Sequence, residues 1–278
     1  MDSHTHLDFF LEEQRKRCIA EAISATVEHF IIPGVCPEKW ENIRNVAETS
    51  NEGNVFFALG IHPTELDAAM KEEEIREQLL QALHKFSGKK LVAVGEIGLD
   101  YYHLSPRGSE EKRTKQRSAF RTQMLVAKKK DLAMIVHCRD RDGELDAWKN
   151  ALYDIDDIAI PRKKVLFHSF AYGKTQMAEW CSRGGYVSIS GIATRPAAAH
   201  VREAIPHVPT GQILIETDSP YLLPHSLCQK DELGKLPLNE PKNVVEIARL
   251  VGELTKRSQK EILQQTLENG REFFAIGR

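Results

Sequence analysis

The sequence predicts an α/β chain, a TIM (β/α)8 barrel with its working residues at the C-terminal face of the strands. Three observations predict it. Eight short apolar runs alternate with longer amphipathic ones across the chain, the arithmetic of such a barrel. Each apolar run is brief and almost unbroken, as a strand buried on both faces must be. The polar residues that close several of these runs are of metal-binding types, and barrel enzymes place their chemistry at that end of a strand.

The opening strand is expected over Met1–Leu7. FIIPG (30–34), NVFFALGIHP (54–63), KLVAVGEIGLD (90–100), LAMIVHC (132–138), KVLFHSF (164–170), GYVSIS (185–190) and QILIETD (212–218) supply the other seven. Amphipathic segments between them predict helices over Glu12–His29, Pro37–Ser50, Lys71–Phe86, Gln116–Lys130 and Gly143–Ile155. Pro37 and Pro241 suit the first turn of a helix, where a missing N–H costs nothing. A long loop, Pro224–Pro241, then leads to two closing helices near Glu240–Thr255 and Ser258–Phe274. No repeat, low-complexity stretch or flexible linker divides the chain, so residues 1–278 read as a single domain. The structural alternative is an open doubly wound sheet, which would gather ligands at one switch point rather than around a ring.

Composition narrows the class. Hydrophobic residues make up 41% and charged residues 28%, enough apolar mass for a large core and no case for disorder. Thirty-eight basic residues against 40 acidic ones give −2, which excludes a wholly basic nucleic-acid sleeve but not a local basic patch. No apolar run reaches the roughly 18 residues of a membrane helix. The opening MDSHTHLDFF has neither a basic n-region nor an apolar h-region, so no secretory signal is expected. Five cysteines, an odd number with no CxxC, predict reduced thiols and a cytoplasmic protein.

The metal-binding residues recur at one place. His4 and His6 are two apart, a spacing that turns both imidazoles of an extended segment to the same side. Glu96 closes VAVGE, His137 closes AMIVH, His168 closes VLFH and Asp218 closes LIETD. Four imidazoles and two carboxylates meeting in one space would be costly to bury without partners. Divalent cations remove that cost, because they take neutral imidazole nitrogen and anionic oxygen as ligands. Six donors are too many for one tetrahedral zinc, so two cations with a carboxylate between them are expected. Such a site is open and catalytic, and a cation lowers the pKa of a coordinated water towards about 7. Asp218, last in the chain, is the candidate to manage the proton.

These residues carry a resemblance. DSHTHLD (2–8), GIHP (60–63), GEIGLDYY (95–102), VHCRD (136–140), the FH of FHSF (167–168) and ETDSPYL (216–222) are similar to the TatD-like metal-dependent deoxyribonucleases, a branch of the amidohydrolase superfamily. Order and spacing agree over essentially the whole chain. The resemblance implies a barrel hydrolase with one to three divalent metals (zinc, magnesium or manganese) that cleaves phosphodiesters, often as a 3′–5′ exonuclease. By motif, His4 and His6 would hold the first metal and His137 and His168 the second. Glu96 would bridge them, Asp218 would be ligand and acid/base, and His62 would sit beside the site and assist substrate or water. The chain departs from the family pattern at HSFAYG, where Ser169 stands for Cys and one residue is added before Gly173. It departs again near Asn239, where position 237 is proline and Lys235 is out of register.

Substrate contacts are expected from Arg139, suited to a bidentate phosphate contact, and from Tyr102 and His103, able to stack on a base. Tyr101 could join them. The stretch Arg107–Asp131 carries nine basic and three acidic residues, a local +6 that could steer a nucleic-acid backbone. The expected partner is therefore nucleic acid, single-stranded DNA ends above all, with no membrane and a monomer or weak oligomer. The competing function keeps the site and changes the substrate to an ester, an amide or aminoacyl-tRNA, since the same chemistry attacks carbonyls. A non-enzymatic metal-binding protein would have no use for the acid/base Asp218.

Overall fold

The computed structural model describes residues 1–50, 54–67, 69–104, 109–230 and 234–277. Among the described residues seven parallel strands form one sheet in chain order: β1 (His29–Ile32), β2 (Asn54–Leu59), β3 (Leu91–Asp100), β4 (Ala133–Arg139), β5 (Val165–Phe167), β6 (Tyr186–Ile189) and β7 (Ile213–Ile215). Each strand pairs with its sequence neighbours, as parallel strands joined by crossover connections do. The helices are α1 (Glu12–Ser24), α2 (Trp40–Thr49), α3 (Glu72–Lys85), α4 (Ser109–Lys129), α5 (Asp146–Asp157), α6 (Lys174–Cys181), α7 (Ala199–Ala204), α8 (Val244–Thr255) and α9 (Gln259–Phe273).

The alternation of side chains along the strands splits the core in two. Phe30 and Ile32, Phe57 and Leu59, Met134 and Val136, and Ile213 and Ile215 face the helices and join one large cluster. Ile31, Phe56, Ala58, Ala93, Ile135, Leu166 and Leu214 face the other way and form a second cluster. Phe273, Phe274 and Met1 complete that second cluster. Burial on both faces explains why these strands read as apolar runs rather than alternating ones.

The strand expected over Met1–Leu7 is not one. Asp2 makes a single parallel bridge to Phe30, and Leu7–Phe9 is already a 3-10 turn. The segment nonetheless lies between the first and last strands. Asp2 N donates to His29 O at 2.8 Å, Thr5 N to Ile31 O at 3.0 Å and Ser3 N to Ile215 O at 3.1 Å. Its alternate bonding to two different strands leaves no continuous ladder on either side. Five of the other predicted strands run past the observed C-terminal ends, because loop residues there, Ile61 and Phe170 among them, are buried in the core without joining a ladder. β3 and β4 are the exceptions: β3 continues past Glu96 to Asp100, with a register shift against β4 between Val94 and Ile97, and β4 runs to Arg139. α4 starts well before Gln116, since its first turns pack an arginine row on α5 rather than an apolar stripe. α9 opens with a capping box, Ser258 with Glu261.

Candidate metal centre

The candidate donors come from five parts of the chain and meet beyond the sheet. Glu96 lies within β3 and His137 within β4, His168 is one residue past β5, and Asp218 is three past β7. His4 and His6 sit on the N-terminal segment. Two close approaches hold this arrangement. Gly98 has φ +144°, and a Cβ there would run into the His137 carbonyl. A Cβ on Gly60 would lie 2.7 Å from the Gly95 carbonyl carbon, so the turn carrying His62 rides directly on the Gly95–Glu96 peptide. Asp218 adopts φ +53° and its N–H donates to His4 O at 2.9 Å. Left-handed backbone at a non-glycine residue is tolerated best by Asp and Asn.

Behind Asp218, the buried Asp2 carboxylate accepts from Thr217 N at 2.9 Å and from the Thr217 hydroxyl at 2.5 Å. Burial pushes the Asp2 carboxyl up to about 7. Asn239, also buried, donates from Nδ2 to Thr217 O at 2.9 Å. The turn that carries Asp218 is thus tied down from both ends of the chain.

Glu96 is the centre. Its Oε1 lies 2.7 Å from His168 Nε2, 3.0 Å from His137 Nδ1 and 3.3 Å from His62 Nε2. Its Oε2 faces His4 Nε2 at 3.4 Å. Asp218 Oδ1 lies 3.5 Å from His4 Nε2 and 3.4 Å from His6 Nε2. Three groups therefore have donor atoms close enough for a cation: His4, Glu96 and His168; His4, His6 and Asp218; and His62, Glu96 and His137. His4 and Glu96 each belong to two groups, so the three are linked.

Electrostatics follow from crowding without a cation. Burial opposes ionisation of Glu96, but the His168, His62 and His4 imidazoles outweigh it and hold its pKa well below the usual carboxylate range. Burial likewise opposes charging His168, and the Glu96 charge, then Glu216, raise its pKa well above the ordinary value. For His62 burial wins, and its pKa is lowered. The fit to a cation shows at His4. Both of its ring nitrogens are buried and neither has a hydrogen-bond partner among the described residues. A buried imidazole without partners is costly, and a cation on Nε2 would relieve it.

Two orienting carboxylates do not stand out in sequence. Glu216 is fully buried; its Oε1 lies 3.3 Å from His168 Nδ1, and its Oε2 accepts the Ser188 hydroxyl at 2.5 Å. Asp100 Oδ2 lies 3.0 Å from His137 Nε2. Burial opposes its ionisation, and the His137 contact outweighs it, so its pKa is lowered. A carboxylate on the far nitrogen of an imidazole fixes its orientation and raises its basicity as a ligand. An acid inside an otherwise apolar buried run, EIGLD or ILIETD, is the signal that marks both.

His62 has a defined tautomer. Its Nδ1 accepts the Thr64 N–H at 3.2 Å and faces the Thr64 hydroxyl at 2.7 Å. The neutral ring therefore carries its proton on Nε2, which points at Glu96 as a donor.

The rim residues separate. Arg139 lies over the Tyr102 ring, 3.9 Å from its centroid, and pairs with no carboxylate among the described residues. His103 meets Tyr102 edge-on, but its Nδ1 is engaged by Asp100 Oδ2 at 2.8 Å. Tyr101 is buried, with its hydroxyl accepting from Asn150 at 3.0 Å, and cannot stack on a base. The basic stretch is also mostly engaged. Arg113 meets Asp146, Arg117 and Arg121 share Asp154, and Arg121 reaches Asp157, so α5 neutralises the three arginines of α4 within the stretch expected to steer nucleic acid. Arg107 lies outside the described residues. The Ser169 hydroxyl faces that of Ser190 at 2.7 Å. A cleft of about 390 Å³ opens over the donors, lined also by Arg139, His103, Lys39, Phe9 and Tyr221.

A parallel α/β sheet whose strands and following loops bring imidazoles and carboxylates together has the donor set of a metal-dependent hydrolase. The family model described as TatD related DNase matches residues 1–275, and the chain belongs to that family. It is 27% identical over 270 residues to the 3′-5′ ssDNA/RNA exonuclease TatD of Pectobacterium carotovorum subsp. carotovorum (strain PC1), with 95% of each chain covered. It is 30% identical over 284 residues to the uncharacterized metal-dependent hydrolase YabD of Bacillus subtilis (strain 168), covering 99% of this chain and 98% of the relative. Among solved structures it is similar to YJJV, a TatD homolog from Escherichia coli K12, with TM-score 0.82 and 26% identity over 99% of this chain and 97% of that one. No helix among the described residues is long and apolar enough to cross a membrane.

Proposed function

We propose that the chain is a divalent-cation-dependent phosphodiesterase that shortens single-stranded DNA from an end, as a 3′–5′ exonuclease does. The observation that carries this reading is the division of Glu96, whose two oxygens face different imidazoles. His4, His6 and Asp218 would hold one cation, His137 and His168 a second, with Glu96 between them. Zinc, magnesium and manganese all suit such donors. When bound, such cations supply Lewis acidity towards phosphate oxygens and an acidified water.

The chain's own groups do the rest. Asp218 accepts a proton from the attacking water at its carboxylate. His62 donates from Nε2 to a substrate oxygen, which the Thr64 contacts prepare it to do. Glu216 and Asp100 hold His168 and His137 in register. Arg139, braced on Tyr102, takes a phosphate. The same reading makes the segment 2–6 the stand-in for an eighth strand, completing a (β/α)8 barrel in one domain with the site at its C-terminal mouth. The Ser3–Ile215 and Asp2–Phe30 contacts support that closure. A reducing compartment such as the cytoplasm suits the five unpaired thiols.

Oligonucleotides labelled at either end, incubated with Mg²⁺, Mn²⁺ or Zn²⁺, test the proposal. Stepwise shortening that is lost in Asp218→Asn with metal content retained is the expected result. Failure of the metal-replete protein to cut any of them refutes it. Turnover of carboxyl esters without nucleotide release would select the ester, amide or aminoacyl-tRNA alternative.

A further inference from the structure

One wall of the cleft is aromatic, exposed and unused by the chemistry above. Phe9 is 55% exposed and Tyr221 53% exposed. Large apolar rings left in water at a cleft mark a contact surface. The two rings meet edge-on at 6.2 Å, and Tyr221 also meets the His6 imidazole at 5.7 Å. Their placement is not that of ordinary loop residues. Phe9 lies three residues after His6, and its N–H donates to His6 O at 3.0 Å. Tyr221 lies three residues after Asp218, and its N–H donates to Asp218 O at 2.8 Å. Each ring is tied by one turn to a candidate metal donor, and those two donors touch each other at 3.4 Å. The rings are therefore held at a set distance from the reacting centre. Lys39 lines the same cleft, is exposed, and pairs with no carboxylate among the described residues.

We propose that Phe9 and Tyr221 form a stacking platform for the unpaired terminal base of a single-stranded nucleic acid, so that the adjoining phosphodiester falls at the His6–Asp218 edge of the site. This deepens the function proposed above and rests on it. Flat rings in one cleft with Lys39 and Arg139, cations that pair with no carboxylate among the described residues, match a planar base joined to phosphate, and stacking accepts every base because each has a π-face. An aliphatic ligand would gain nothing from Lys39 and Arg139. A base inside a duplex end is already stacked and paired, so the platform also selects single strands.

The test uses the full chain and short DNA carrying 2-aminopurine, or an abasic residue, at the terminal position of the degraded end. Binding to the metal-loaded protein, on DNA whose terminal linkage is a slowly cleaved phosphorothioate, is read by quenching of 2-aminopurine. Wild type should quench it, Tyr221→Phe should retain the quench, and Tyr221→Ala should weaken binding about 5- to 150-fold, the range alanine substitution gives per stacked base. The double variant with Phe9→Ala should weaken it further. With metal, the abasic end should raise KM for wild type by a similar factor, and the alanine variants should lose nothing more on that substrate. Equal binding of abasic and base-bearing ends, or an equal loss by Tyr221→Ala on both, overturns the platform. If no oligonucleotide is cleaved while the quench behaves as stated, the hydrolytic reading fails and the platform stands.

Discussion

Glu216→Gln isolates the charge behind one candidate ligand. Glu216 is fully buried, 3.3 Å from His168 Nδ1, and takes the Ser188 hydroxyl on its other oxygen. Glutamine keeps the shape. Its carbonyl can still accept from Nδ1 and its amide can still meet Ser188, so the substitution changes a charge-assisted hydrogen bond into a neutral one. Bonds to charged groups contribute about 1.5–3 kcal/mol and neutral ones about 0.5–1.5, a difference of about 1–1.5 kcal/mol. That converts to roughly a tenfold loss of metal affinity, at the low end of what orienting groups contribute. Glu216→Ala leaves Nδ1 and the serine hydroxyl buried without partners, and about a hundredfold loss is expected. Competition of each variant with a chelator of known affinity gives the Kd, and circular dichroism of the metal-free proteins shows whether the fold is kept. A Glu216→Gln variant that folds and binds zinc or manganese as tightly as wild type would refute the claim that Glu216 tunes His168.

Three further outcomes are expected. Chelation should lower the melting temperature, since a cation at 1,000 times its Kd adds about 4 kcal/mol to the folded state; a melt unchanged after verified metal removal counts against a tightly held cation. Asp154→Asn should lower the melting temperature by roughly 4–8 °C, from a buried-pair cost of 3–5 kcal/mol discounted to about 2 for arginines a third exposed, while leaving DNA affinity unchanged. A clear rise in DNA affinity, from arginines no longer neutralised, would return the α4 arginines to the substrate. Burial, with Arg271 beside it, holds the His29 imidazole down at about 4, against 6.5 in the unfolded chain. The unfolded state takes up that proton first, so stability from His29 is complete above pH 6.5, declines from there to about pH 4, and levels off below. Urea midpoints across that window should flatten in His29→Gln; identical slopes would exclude His29 as a source.

How much of this was legible in the sequence depends on what each residue must satisfy alone. Buried strands declare themselves, because a two-sided burial permits few polar residues; β2, β4 and β6 stand where VFFAL, AMIVH and YVSI predict them. The ends of strands do not, because Ile61, Phe170 and Thr217 are as buried as strand residues yet pair with no ladder. Met1–Leu7 misleads for the same reason: its extended backbone divides its bonds between β1 and β7. The six candidate donors are visible because metal-binding residue types are rare at the ends of apolar runs. Asp100 and Glu216 sit in the same motifs and escape notice, since an orienting carboxylate is told from a ligand by distance alone. The α4 basic row misleads because charge counted along one helix omits Asp154 and Asp157 on its neighbour.

The fold holds the candidate donors fixed and leaves the rim to loops. The candidate donors are held by backbone bonds to a strand, to the loop that follows one or to another donor's segment: His168 N to Val136 O, Glu96 N to Gly34 O just past β1, His6 N to Ser219 O. A shift of one donor would therefore have to move the sheet, which close packing resists. Arg139, Tyr102 and Lys39 have no such ties on their side chains, and substitution there can alter the substrate without disturbing the donors. Phe9 and Tyr221 fall between these two kinds. Their side chains are exposed like loop residues, but their amides are bonded to His6 and Asp218. A substitution at either ring should therefore change which ends are bound while leaving the metal affinity of the centre intact, whereas Glu216→Gln should do the reverse. The two effects can be measured in the same pair of titrations, and a variant at Tyr221 that weakens metal binding as much as DNA binding would show that rim and centre are not separable.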